Sequence, residues 1–113
     1  MSDLEQLEYA KSTAVEAIKQ RDMALKLKDN YEFRKLIVEG FFVTESARLV
    51  HLSSDPSLGP QERADALNMA QAAGHLKRWL NVMIQQGDYA AADLPNIEEN
   101  LTELRAEEEA DNE

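Results

Sequence analysis

Two histidines, His51 and His75, are the side chains of this sequence best suited to metal or proton chemistry. A zinc site needs three or four ligands converging, and on a helix they recur three or four positions apart. No His-x-x-x-His or Glu-x-x-His pair occurs, so structural or surface histidines are the simpler reading. Glu39 and Glu45 flank the apolar middle of one segment and are the carboxylates whose neighbours most invite inspection. General acid–base work requires burial or a specific partner to shift a pKa, which acids on exposed helical faces lack. A solvated face is expected for both. Ser53 and Ser54 lie close to His51, but beside Asp55-Pro56 they read as turn-forming hydroxyls rather than nucleophiles. The four glycines, Gly40, Gly59, Gly74 and Gly87, are scattered, so no phosphate-cradling loop forms. With no cysteine, disulfides, thiolate metal sites and cysteine nucleophiles are excluded. The expectation is a protein that is not an enzyme and carries no cofactor or metal.

The stretch Lys77-Arg78-Trp79 holds the one Trp of the chain beside two bases. Trp and Arg are enriched among residues that dominate interface energetics. Two readings stand together: an interface anchor, or a Trp capping the edge of the monomer core. Arg34-Lys35 and Lys26/Lys28 are further basic positions that charge complementarity could set against the acidic end of another copy.

The elements that must position these residues are helical. Asp3 to Lys28 carries Leu4, Leu7, Lys11, Ala14, Ile18, Arg21 and Leu25 at spacings of three and four, a stripe with polar breaks at Lys11 and Arg21. So thin a stripe does not hold a helix in water alone, because helix stability in proteins comes mainly from packing. This helix is expected to dock on its own body or to project and pair with another copy. Asn30 suits the N-cap of the next helix. That helix, Tyr31 to about Leu52, presents Phe33, Leu36, Ile37, Phe41, Ala47 and Val50 on a broad apolar face. Gly40 inside it permits close packing or marks a local break. Ser53 to Pro60 is a loop, and Pro60 suits the first turn of a third helix. Between Pro60 and Gln86 the residues Ala66, Met69, Ala73, Leu76, Leu80 and Met83 form a heptad seam. Gly87 then reads as a C-terminal stop, 88–93 as a connector, and Leu94, Ile97, Leu101 and Leu104 as a short helix opened by Pro95.

The expected fold is all-α: a helical hairpin or small bundle with an extended N-terminal helix and a short acidic C-terminal helix. Residues 1–30 form the N-terminal helix, 31–94 the helical core, and 95–113 the short acidic helix with a disordered end. The core is expected to draw on Phe33, Leu36, Ile37, Phe41, Val50, Leu67, Leu76, Leu80 and Ile84.

Charge separates these parts. The 113 residues carry a net charge of −10, and Glu98 to Glu113 supply eight acids against Arg105 alone. A block of like charge repels itself and stays solvated, and a nearly balanced body with an acidic end suits an interaction protein. An acidic surface disfavours phosphate, which Lys and Arg must neutralise, so direct nucleic-acid binding is not expected. Apolar runs fall far short of the roughly 20 residues that span a bilayer, and the first residues lack a signal-peptide profile. These features point to a soluble, cytosolic protein without a membrane partner.

The stretch Tyr31-Glu32-Phe33-Arg34-Lys35-Leu36-Ile37-Val38-Glu39-Gly40-Phe41-Phe42, with Glu45-Ser46-Ala47-Arg48-Leu49-Val50-His51-Leu52, resembles small acidic helical proteins encoded by tailed bacteriophages. Gly74-His75-Leu76-Lys77-Arg78-Trp79-Leu80 and the acidic end share that resemblance, which runs from Tyr31 to the C-terminus. It implies a phage origin, a place in the host cytoplasm or the virion, and a role among virion or assembly genes; it transfers no functional residue. The expected function is that of a self-associating virion accessory or assembly component, a homo-oligomer that also contacts other phage proteins. Leu4, Leu7, Ile18, Arg34, Lys35, Lys77, Arg78 and Trp79 are its candidate interface residues. A second expectation is an inhibitor of a host protein, its acidic surface filling a basic or nucleic-acid-binding groove. A third, ranked last, is an anion site at a subunit interface formed by Arg34, Lys35 or Arg78.

Overall fold

Ser2 opens the first helix, accepting a hydrogen bond from the Glu5 amide at 3.1 Å, which satisfies one of the amides a helix start leaves unpaired. A computed structural model describes residues 2–112; Met1 and Glu113, the outer ends of the expected 1–30 and 95–113 segments, lie outside the described residues. The chain is all-α, as its periodicity predicts. Helix α1 runs Asp3–Asp29, with acids in its first turn and Lys26 and Lys28 in its last, the arrangement the helix dipole favours. Asn30 adopts an extended backbone and its side chain accepts from the Phe33 amide at 2.8 Å. It is the expected N-cap. Tyr31–Phe33 forms a single α-turn, α2, which passes into a π-helix over Arg34–Glu45 and then into α3, Ser46–Ser53. A loop follows, and α4 runs unbroken from Pro60 to Asp111.

The last helix is longer than its sequence suggests. Gly87 does not stop a helix, and 88–93 is not a connector: both lie inside α4, as does Pro95. The expected short acidic C-terminal helix is therefore the end of α4, and the stretch after Arg105 is helical to Asp111 rather than a disordered end. The physical reason is a seven-residue repeat that neither residue interrupts. Ala66, Ala73, Leu80, Gly87 and Leu101 are all buried, and Leu94, in the same register, is half-buried. Burial along that seam outweighs the roughly 3 kcal/mol that Pro costs inside a helix.

By contacts the chain divides into a terminal unit, Met1–Ala24 with Met83–Glu113, and a central unit, Leu25–Val82. In the terminal unit α1 lies antiparallel to the second half of α4, so residues 3–24 dock rather than project. Arg21 Nη1 reaches Asp88 at 3.1 Å, Lys11 Nζ lies 3.9 Å from Glu98, and Arg105 Nη2 lies 3.3 Å from Glu8. Lys11 and Arg21, the polar breaks in the α1 stripe, thus reach acids on α4. Ala14, Ala24 and Leu101 are buried, with Leu101 only 1% exposed.

The central unit holds the π-helix, α3, the loop and the first part of α4. Its buried residues are Leu49, Ala66, Ala73 and Leu80. Of the expected core, Leu80 is buried and Phe33, Ile37 and Phe41 are half-buried, as is Ile84 of the terminal unit. Leu36, Val50, Leu67 and Leu76 are exposed, Leu36 by 70%. The π-winding explains Leu36. Its i→i+5 bonding makes positions four and five apart neighbours, in place of three and four. That brings Val38 and Phe42 onto the inner side with Phe33 and turns Leu36 out. The backbone is unbroken at Gly40. Hydroxyls support the winding: Thr44 Oγ1 donates to the Glu39 carbonyl at 3.1 Å and Ser46 Oγ to that of Phe41 at 3.0 Å, each five residues back.

Candidate protein-interaction surface

Within the central unit, the π-helix and α4 leave a recess of about 130 Å³. Phe33, Val38, Phe42 and the buried Leu80 line it, and the exposed Lys28, Lys77 and Asn81 complete its edge. Neither lysine forms an ion pair with any described residue. The result is an apolar hollow bordered by uncommitted positive charge. The same unit also leaves large apolar side chains in solvent: Leu36, Val43, Met69 and Trp79, the last 55% exposed.

Two pairs of opposite charges in this unit are matched locally. Lys35 Nζ lies 3.1 Å from Glu39 and sits over the Tyr31 ring. Arg48 donates Nε to Glu45 at 2.9 Å and Nη2 to its other oxygen. That bidentate pairing holds the Glu45 carboxyl below the usual carboxylate range and raises Arg48. Such a carboxylate is a fixed anion rather than a proton carrier, and Glu39 is exposed and paired. Asp55 Oδ1 accepts from both the hydroxyl and the amide of Ser57, at 2.7 and 2.9 Å, which lowers its pKa. This closes the Ser53–Pro60 turn. In the terminal unit Arg21 is raised, first by its hydrogen bond to Asp22 and further by Asp88.

The candidate interface residues fall in two places. Leu4, Leu7 and Ile18 are half-buried in the terminal unit, where they pack within the fold. Arg34, Lys35, Lys77, Arg78 and Trp79 are exposed on the central unit, and of these Lys77 edges the recess. Trp79, at 55% exposed, is nearly half covered by its own fold. Sequence reasoning missed Lys28, Val38, Phe42 and Asn81 as a group, because only the π-winding brings Phe33 to the same side as Val38 and Phe42.

His51 and His75 are exposed, and among the described residues no cluster of His, Asp and Glu is arranged to hold a metal ion. No described helix is long and apolar enough to cross a membrane. Charge is divided unevenly between the units: the terminal unit carries fifteen Asp and Glu against four Lys and Arg, the central unit seven against eight. No family model, curated protein or solved structure matches the chain.

Proposed function

We propose that the protein is a non-enzymatic, self-associating helical protein of a tailed phage that acts through protein–protein contacts as a virion accessory or assembly component. One observation carries the self-association. The buried apolar residues are few and mostly alanine (Ala14, Ala24, Ala66 and Ala73 beside Leu49, Leu80 and Leu101), while Leu36, Val43, Met69 and Trp79 of the central unit remain in water. Scattered exposed leucines are ordinary, but several large apolar side chains on one small helical unit suit a surface that another chain covers. The phage placement rests on the resemblance of Tyr31–Leu52 and Gly74–Leu80, and the particle proteome tests it directly. Sedimentation at micromolar concentration tests the self-association. Dimers or larger species are expected, and a cooperatively folded, strictly monomeric protein would overturn it.

The concentration of acid on the terminal unit favours the second reading, inhibition of a host protein through a basic groove. Affinity capture separates the two. Recovery of a host nucleic-acid enzyme, lost when Glu103, Glu107, Glu108 and Glu109 become Gln, selects the inhibitor. Recovery of structural phage proteins selects assembly.

A further inference from the structure

The recess of the central unit is the right size for one side chain and too small for a metabolite. Small-molecule sites enclose about 300–1,000 Å³, and an apolar cavity of about 150 Å³ binds benzene; at about 130 Å³ this open recess is a little smaller and admits part of a ring rather than a whole molecule. Its apolar walls suit an aromatic ring. Lys28 and Lys77 at its edge have no acidic partner, so the segment that brings the ring is expected to be acidic.

The chain itself contains such a segment. On α1, Tyr9 is 67% exposed, and its hydroxyl makes no hydrogen bond to a described residue. Glu5 stands four residues before it and Glu16 seven after, about 6 and 10 Å along the helix axis. Neither acid is ion-paired with a described residue. The other exposed apolar side chains fit less well. Tyr89 already accepts a hydrogen bond from Gln85 at 2.9 Å. Met23 has Lys19 and Lys26 beside it on the helix, of the wrong sign for a lysine-edged recess, and Trp79 has no acid within four residues on either side.

We propose that the recess bounded by Phe33, Val38, Phe42 and Leu80 receives Tyr9 of a second copy of this chain, with Glu5 and Glu16 of that copy meeting Lys28 and Lys77. Asn81 at the edge supplies a polar partner for the phenol hydroxyl. The contact joins two different surfaces, so it is heterologous, and its products are reciprocal dimers or longer assemblies. It deepens the self-association reading and depends on it.

Charge reversal on each side, followed by mixing, tests it in the full-length protein. Sedimentation velocity is run on wild type, on Lys28→Glu/Lys77→Glu and on Glu5→Lys/Glu16→Lys, with circular dichroism melts establishing that each variant is folded. Each reversed variant is expected to raise the dissociation constant at least tenfold. An equimolar mixture of the two is expected to recover association to within about threefold of wild type. The Glu5→Lys/Glu16→Lys variant is informative because it makes each copy less negative, which by net charge alone would strengthen association. Tyr9→Ala in the wild-type background is expected to weaken association as much as either reversal. Wild-type association with either reversed variant unchanged, or a mixture that does not recover, overturns this contact while leaving self-association standing. A wild type that is monomeric throughout removes self-association itself.

Discussion

At the scale of single residues, two glycines of the same helix do opposite things. A Cβ built on Gly87 would lie 2.1 Å from the Cβ of Arg21. That atom is fixed to the α1 backbone and does not swing aside as a side-chain tip would. Gly87→Ala gains about 1 kcal/mol of helix propensity but forces α1 and α4 apart in the terminal unit, and overpacking of this kind costs about 1–3 kcal/mol. Net destabilisation is expected by urea denaturation, with loss of the Arg21–Asp88 pairing. Gly74 has nothing within 4 Å of its added Cβ, so Gly74→Ala is expected to stabilise the chain by about 0.5–1 kcal/mol. Asp55 gives a pH signature. Its pKa is depressed by the two hydrogen bonds from Ser57, so its contribution to the turn is complete above the ordinary carboxylate value of about 4 and is lost as pH falls through the lower folded value. The Ser57 amide resonance is expected to shift over that range in wild type and to be insensitive there in Asp55→Asn.

At the scale of elements, the sequence showed the ends of helices better than their winding. Asn30, the Ser53–Pro60 loop and the start at Pro60 were legible because each rests on local chemistry: a side chain that caps an amide, an Asx turn, a residue without an N–H. Gly87 and Pro95 misled for the same reason, since their local meaning is to end or open a helix. The contrary signal was present in the seven-residue spacing of Leu80, Gly87, Leu94 and Leu101, which continues the seam begun at Ala66 and Ala73. The π-helix was not legible. Phe33, Leu36, Ile37 and Phe41 make an apolar face at α spacing, and Phe33, Val38 and Phe42 make another at π spacing, so periodicity alone does not choose. Packing around Leu80 decides it, and with it the recess. The two windings differ in a measurable way. Leu36→Asp, on the outer side, is expected to change stability by no more than about 0.5 kcal/mol. Phe42→Asp places a charge on the inner side and is expected to cost about 2–4 kcal/mol. The reverse order in urea denaturation would show that the segment is wound as an ordinary α-helix.

At the scale of the whole molecule, net charge opposes the proposed association that local charge would promote, and distance decides which prevails. Each copy carries −10, so two copies repel over a range set by the Debye length: about 30 Å at 0.01 M salt, 10 Å at 0.1 M and 3 Å at 1 M. The proposed pairs of Lys28 and Lys77 with Glu5 and Glu16 act across a few ångströms and outlast moderate screening. Raising salt from 0.01 to about 0.1 M therefore removes mostly repulsion, and association is expected to strengthen. Toward 1 M the pairs themselves are screened, and association is expected to weaken again. A contact held by apolar burial alone has no such second limb, because salt then relieves repulsion throughout and leaves the burial of Tyr9 in place or strengthens it. Sedimentation velocity across that salt series distinguishes the two. A maximum near 0.1 M identifies a contact in which an acidic helix meets the lysine edge. A monotonic rise assigns the contact to exposed apolar residues such as Leu36, Val43 and Met69, with the lysines as bystanders.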